Sequence, residues 1–529
     1  VIQLRRFLPA APACAALACA ALAGCAGGSR PGAAGPAIDL TAVAPLAETF
    51  TDGDLDHLGL LLDEERRERY RGLDEAGRAE LMRIFWAELD PTPTTDLNER
   101  KLEHYRRLAY ARTHFAIDRE PGWDRRGELL LRYGSPDQRR EIPADVAEGV
   151  GVVPPQEIWV YARLGQAYKL QDPRLQNDFR DFFDIEVERD ALTPRAIEAS
   201  REAHEVFVDP RASQRAERED LDAYQDPEEA EQERRLETLY ARGQEAYRVN
   251  PESYLHDFGG GRLDYVFDVV NFGEGEGGAT RLAINTAFWA SDLTYLTEGG
   301  EAVAVLGCQA VLKTMEHRPV ARRDQVTRDR RAAGAARAGQ LVVSQITMDV
   351  PAGSYRMALS VQDSLSRDTG IFTTEVQVRP FPSGELVLSD IQRALDVRPG
   401  RPGDPFLRGP FQVVPYPLGT FPRDRDIYLY FEVYGLSVSP EGDCFYGVDF
   451  LIKPRASEPP KWFGSSRGQV IPGVASTFEG TGKGSTVREH IIFDPATFTD
   501  DEYDVEITVH DRLDDRSTSG SVRFAVQSR

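Results

Sequence analysis

The corner Asp90-Pro91-Thr92-Pro93 constrains this chain more than any other feature. A proline drives the residue before it out of the helical region, so a helix arriving at Pro91 must stop there. The arriving helix sets Leu81, Met82, Ile84, Phe85 and Leu89 on one apolar face, with Asp74 as its cap. Beyond the corner, Asp96 followed by Glu99 reads as a capping box opening a second helix. In that helix Leu102, Tyr105, Leu108, Ala109 and Phe115 form a stripe, and Arg100, Lys101, Glu103 and Arg106 are expected to face away. Pro121-Gly122 closes the segment. Glu128 to Tyr133 is predicted as a strand, running into a turn at Tyr133-Gly134-Ser135-Pro136-Asp137.

Further on, 157–161 and 166–170 alternate as a hairpin about Gly165. With the preceding strand and the two helices they imply an α+β domain. Thr193-Pro194 opens another helix, and Arg211 to Arg248 is dense in Glu and Arg, as in a solvated helical connector. From Leu263 the texture changes to short alternating strands with turn-rich gaps, the pattern of β-sandwiches. A repeat divides this half in two: Tyr355 to Asp363 (YRMALSVQD) returns as Tyr503 to Asp511 (YDVEITVHD), with Leu365 and Leu513 at the same offset. Arg318 to Gly339, charged and Ala/Gly-rich, is predicted as a mobile surface loop.

The first residues read as an export signal. Arg5 and Arg6 precede an Ala/Leu/Cys-rich run too short to span a bilayer, and Leu22-Ala23-Gly24-Cys25 has the form of a lipobox. Cys25 is thus the expected lipidation site, followed by a Gly/Ser/Pro-rich tether. Ala26, in place of an aspartate, favours outer-membrane sorting. Cleavage removes two arginines and no acid, so a chain of net charge −23 becomes more negative still. Such a surface disfavours nucleic acid, whose affinity for proteins rests on Lys and Arg. Of five cysteines, Cys308 and Cys444 lie in different predicted domains and are expected as buried free thiols.

Motifs for chemistry are scarce. Gly273 to Gly278 has dinucleotide-loop spacing but sits between strands, where a helix would be needed. Gly480 to Ser485 lacks the strand-loop-helix setting of a phosphate loop, and Leu58 occupies a ligand position in the calcium-like run from Asp54. Eight histidines show no metal-ligand spacing. No catalytic residue, metal or cofactor is assigned.

The segment 50–185 resembles the GWxTD family of predicted bacterial envelope lipoproteins. The resemblance rests on Phe85-Trp86, Asp90-Pro91-Thr92-Pro93, Asn98-Glu99, Gly122-Trp123, Arg126-Gly127, and Tyr133-Gly134 with Pro136-Asp137. The signature here, Gly122-Trp123-Asp124-Arg125-Arg126-Gly127, is one residue shorter than the family's and lacks its threonine. The resemblance implies an envelope lipoprotein and no established activity. We expect these residues to be structural, with Trp86 and Trp123 in the core and Asp90 paired to Arg126.

The resulting layout is a signal peptide at 1–24, a lipidated tether at 25–49, and a GWxTD-like α+β domain at 50–192. A charged helical connector follows at 193–255, then two Ig-like β-sandwiches at 256–382 and 383–529. The function expected is a non-enzymatic scaffold or binding subunit, membrane-tethered through its lipid and working with an envelope protein partner. The alternatives are a hydrolase with its site at the Gly122-Trp123 turn, or a carbohydrate binder using Trp462 or Tyr416 as an exposed platform.

Overall fold

The computed structural model describes residues 33–35, 37–43, 55–58, 60–147, 151–182, 227–249, 254–273, 275–335, 338–455, 474–499 and 501–527. Cys25, Trp462 and the helix expected from Thr193 lie outside them. The protein is β-rich and divides into two compact units. Asp257–Arg529 belong to one, together with Thr92–Asp96, and Leu97–His256 with the residues up to Pro91 belong to the other.

The N-terminal unit carries helices α1 (Glu64–Gly72), α2 (Glu75–Glu88), α3 (Glu99–His114), α4 (Arg125–Tyr133) and α5 (Pro227–Val249). Its antiparallel strands β1 (Gln138–Ile142), β2 (Gln156–Tyr161) and β3 (Gln166–Gln171) pair in sequence order. The hairpin about Gly165 is as expected, and that glycine has φ 66°, a left-handed turn that suits it. Asp74 caps α2 by accepting from the Gly77 amide.

Several expectations are corrected here. Residues 128–133 are helix, not strand. Asp124 caps α4, and Arg125 and Arg132 bracket Glu128 with ion pairs at i, i+3 and i, i+4. Leu129, Leu130 and Leu131 are all buried, and the helical period shows in the partly exposed Arg125, Glu128 and Arg132. The strand that follows α4 is instead Gln138–Ile142. The cap of α3 is Asn98, which accepts from the Lys101 amide at 2.8 Å, two residues beyond the expected Asp96. Arg100 is buried, its guanidinium 5.2 Å from the Tyr254 ring centroid. The acidic helix is no detached connector: α5 packs against β3. A Cβ on Gly243 would stand 2.5 Å from the Ala167 carbonyl oxygen, and the Tyr168 hydroxyl donates to the Gly243 carbonyl.

The second unit holds two modules. The first comprises β4 (Val266–Phe272), β5 (Thr280–Trp289), β6 (Glu301–Lys313), β7 (Pro319–Ala332), β8 (Leu341–Val350), β9 (Gly353–Asp363) and β10 (Thr369–Val378). One sheet runs β10-β9-β6-β7 and the other β8-β5-β4, and both contribute to a single core. The second comprises β11 (Gln392–Pro399), β12 (Phe411–Pro415), β13 (Ile427–Tyr434), β14 (Asp443–Pro454), β15 (Val474–Lys483), β16 (Val487–Phe493), β17 (Asp501–Asp511) and β18 (Ser517–Gln527). Its sheets run β18-β17-β14-β15 and β16-β13-β11-β12 around a second core. Strand for strand, the first module's order returns in the second, with β12 added.

The repeat marks structurally equivalent residues. The Tyr355 hydroxyl donates to the Pro351 carbonyl and that of Tyr503 to the Thr499 carbonyl, each four residues upstream. Asp363 accepts from the amides of Leu365 and Thr294, Asp511 from those of Leu513 and Ser437. Arg367 and Asp515, at the same offset, both take positive φ.

The predicted mobile loop is corrected as well: 319–332 is the long strand β7, paired with β6 along its whole length. Its charges conceal the alternation, and the ladder with β6 holds it in place. Between the modules, Val270, Phe272 and Ala283 of the first pack with Ala394, Val397, Val413 and Tyr430 of the second. The Gly-rich run at 273–278 is a hairpin loop between β4 and β5, as expected. Cys308 and Cys444 are buried and unbridged, and burial raises both thiols above their ordinary pKa, which keeps them protonated.

Candidate functional site

The Gly-Trp turn is built from local geometry. Gly122 has φ 94°, a conformation open to glycine. The Trp123 ring then lies on the first turn of α4, where a Cβ on Gly127 would meet it at 2.7 Å. Only glycine at 127 allows this approach, which explains the Trp–Gly spacing. Phe85 and Trp86 are likewise buried, in a satellite core with Met82, Tyr70 and Leu62. The Asn98 side chain reaches back to donate to the Trp86 carbonyl at 2.5 Å, tying α3 to α2.

Arg126 is the centre of the motif, and it does not pair with Asp90. Its guanidinium meets Asp124 at 2.7 Å, Glu157 at 2.9 Å and the Asn177 side-chain oxygen at 2.8 Å. Phe115 and Phe179 lie 4.8 and 3.9 Å from it, ring centroid to guanidinium. A neighbouring acid two residues away captures the arginine before the distant elbow can.

Asp124 also caps α4 and accepts from the Phe179 amide at 3.0 Å, which binds the loop after β3 to the helix start. Glu157 takes Arg139 at 2.9 Å and the Trp159 indole N–H at 2.8 Å. Burial raises the Asp124 carboxyl above its ordinary pKa, against the pull of Arg126. Burial acts to raise Glu157 too, but hydrogen bonding from Arg139 and the charges of Arg126 and Arg139 outweigh it and hold that carboxyl low. The Asp124 and Glu157 carboxylates and the Arg126 guanidinium are engaged in holding helix, sheet and loop together.

Tyr133 to Asp137 form a different environment. Gly134 ends α4 with φ 79°, and a Cβ there would stand 2.6 Å from the Arg107 guanidinium. The Tyr161 hydroxyl donates to the Gly134 carbonyl at 3.0 Å, and burial raises its pKa far enough that it remains a neutral donor. Tyr133 stacks on Tyr168 with centroids 5.8 Å apart. Pro136 turns the chain toward β1. Asp137 pairs with Arg163 at 2.8 Å, and Glu103 with Arg107 at 3.1 Å. Around these groups is a recess of about 160 Å³, walled by Tyr133, Ser135, Tyr161, Tyr254 and the two ion pairs.

A buried histidine pair lies elsewhere in the unit, with His57 Nδ1 2.9 Å from His104 Nε2. Burial, reinforced by Arg100, holds His104 well below its usual pKa, so that ring is neutral. Among the described residues no group of three or more His, Cys, Asp or Glu side chains could hold a metal ion, and no helix is long and apolar enough to cross a membrane.

Of the residues picked from sequence, the structure brings Gly122, Trp123, Arg126 and Gly127 together at the turn, and Tyr133, Gly134 and Asp137 at the recess. Asp124, Arg139, Glu157 and Asn177 were missed. Asp124 alone carried a local signal, an acid directly before a helix with a glycine three residues on. The carbohydrate platform expected at Tyr416 is corrected: that ring is buried and its hydroxyl donates to the Thr420 carbonyl. No family model matches this chain, and no curated protein does.

Proposed function

We propose that this chain is a lipid-anchored envelope protein of the GWxTD type, in which an α+β domain and two Ig-like sandwiches act as a non-enzymatic scaffold or binding subunit. The observation that carries this reading is the engagement of Arg126 by Asp124, Glu157 and Asn177. A signature whose charged side chains are spent on one another serves to hold a domain together. The lipobox supports the membrane tether at Cys25, and the seven-strand order common to both modules supports the sandwich assignment. An envelope protein partner and outer-membrane placement belong to the same proposal.

The test is a paired measurement. Arg126→Ala leaves Asp124 and Glu157 buried with one partner fewer, at a cost of about 3–5 kcal/mol. Melting temperature and complementation of a deletion strain should fall together. An Arg126→Ala protein that melts like the parent yet fails to complement would overturn the structural role and favour a hydrolase at the turn. For the anchor, a fatty-acid analogue should label the parent chain and not Cys25→Ala.

The recess favours a second reading, the binding of a small polar ligand such as a sugar ring. Cavities of about 150 Å³ admit a six-membered ring, and here tyrosines and charge pairs with no net charge face one. Ser135→Trp should fill the recess and abolish monosaccharide signals in saturation-transfer NMR, if that reading holds.

A further inference from the structure

We propose that β7 is a docking strand for an acidic, extended segment of a partner protein. The strand reads PVARRDQVTRDRRA, with arginines at 322, 323, 328, 330 and 331, in a chain of net charge −23. It lies at the edge of its sheet with β6 as its one paired neighbour among the described strands. Arg322, Arg328 and Arg330 share the outward face with Val320 and Val326, and all five are exposed. Arg323, on the alternate face, is exposed too.

The second module supplies an internal control. Strand β15 holds the equivalent edge position and carries no arginine. Its charged residues are internally paired, Glu479 with Arg512 at 2.5 Å and Lys483 with Asp443 at 2.6 Å. On β7, Arg330 and Arg331 have Glu301 and Asp329, and Arg322 has Asp96 at 2.9 Å and Asp324 at 3.6 Å. Arg323 and Arg328 have no carboxylate within ion-pair distance among the described residues. Three of the five arginines thus have acids of this chain beside them, while Arg323 and Arg328 do not and have no counterpart on β15.

The face itself selects the partner. Guanidinium groups engage carboxylates through paired N–H donors, and arginine is enriched where proteins meet. Alternate residues on a strand are about 7 Å apart, the repeat of a second extended chain lying along it. Valines and Asp324 interleave with the arginines on this face. Phosphate backbones and anionic headgroups present unbroken negative charge, which Asp324 opposes, whereas a peptide of acidic and apolar residues can set acids against the arginines and apolar groups against the valines. Local complementarity survives the overall negative charge, because screening confines charge effects to about 8 Å at physiological salt.

The experiment uses the full chain and a fluorescein-labelled ten-residue peptide alternating glutamate and valine, with anisotropy as the readout. Saturable binding is expected, weakened about tenfold or more by Arg328→Ser with Arg330→Ser, the equivalent of losing one or two charge-assisted bonds. Glu479→Gln on β15 should leave it unchanged. Hydrogen exchange on the parent protein should show peptide-dependent protection in 319–332, a measurement independent of how the variant folds. Absence of binding, an unchanged affinity in the double variant, or protection outside β7 would each overturn the proposal. So would tighter binding of phosphatidylglycerol vesicles or polyphosphate through the same arginines, which would make β7 a general polyanion surface.

Discussion

The two sandwich-like modules are the same arrangement of strands written twice, and they differ where the fold leaves freedom. Both keep a tyrosine bonded four residues back, a buried aspartate in the following turn and a left-handed residue four positions beyond that aspartate. Their edge strands share nothing of the kind. The first module displays arginines there, and the second a neutral strand with its few charges paired internally. What both copies retain is the framework that closes a hairpin. What they do not retain is available for recognition. The comparison separates these classes without any second protein.

The sharpest way to break the comparison is to uncouple the copies. Arg393 is buried where they meet, bonded to Asp268 of the first module at 3.2 Å and to the Arg523 carbonyl at 3.0 Å. Arg393→Ala strands the Asp268 carboxylate and should cost about 3–5 kcal/mol. Calorimetry should show one transition resolve into two, since each module has its own core. The fragment 383–529 should accordingly fold alone, with a lower melting point than in the full chain because Val397, Val413 and Tyr430 lose their cover. A single unshifted transition in Arg393→Ala would show that the modules are one cooperative domain.

The next effect tests equivalence directly. Asp363→Ala and Asp511→Ala each strip the acceptor from two backbone amides in a buried turn, at about 1–3 kcal/mol per amide left unpaired. Urea titration should find the two losses similar, about 2–6 kcal/mol, although the modules share little other sequence. Asp511 also holds Arg516 at 3.1 Å, so its loss should be the larger. Tyr355→Phe and Tyr503→Phe remove one hydrogen bond apiece and should cost about 1 kcal/mol each. A tyrosine that matters in one copy alone would mean the resemblance is topological and not energetic.

The sequence made the repeat and the hairpin about Gly165 legible, because alternation and a glycine with positive φ are local signals. The misreadings were of elements whose period is hidden. Three consecutive buried leucines in α4 show no rhythm of their own, and the helical signal lay in the polar Arg125, Glu128 and Arg132 and in the cap at Asp124. Strand β7 turns Val320 and Val326 outward and Asp329 and Arg331 inward, where Asp329 accepts from the Tyr295 hydroxyl at 2.6 Å. That inverts the usual alternation, and the ladder with the preceding strand β6 specifies the strand. The partners of Arg126 divide the same way: Asp124 is two residues off, whereas Glu157 and Asn177 are 31 and 51 away and come from elements whose meeting no short window of sequence encodes. The meeting of Trp123 and Gly127 at the turn is a local matter of spacing. The electrostatics of Arg126 are not.

The smallest expected effect is the one that decides what the comparison means. If arginines on β7 are free of the fold, replacing Arg323 and Arg328 with threonine should leave stability within about 0.5 kcal/mol of the parent, as for surface positions outside caps and cores. Threonine suits an exposed strand, so any loss would come from the arginines themselves and not from strand propensity. Both positions lie on a strand whose ladder with β6 is made by backbone groups, which the substitution leaves in place. The stem of a long arginine can still cover neighbouring apolar surface, and Val305 lies opposite Arg328. That contact sets the upper limit of a purely local cost at a few tenths of a kcal/mol. A urea midpoint displaced by more than about 1.5 kcal/mol would place these arginines among the residues the first module needs, and the contrast with β15 would then describe two ways of finishing a sheet edge, with no partner required.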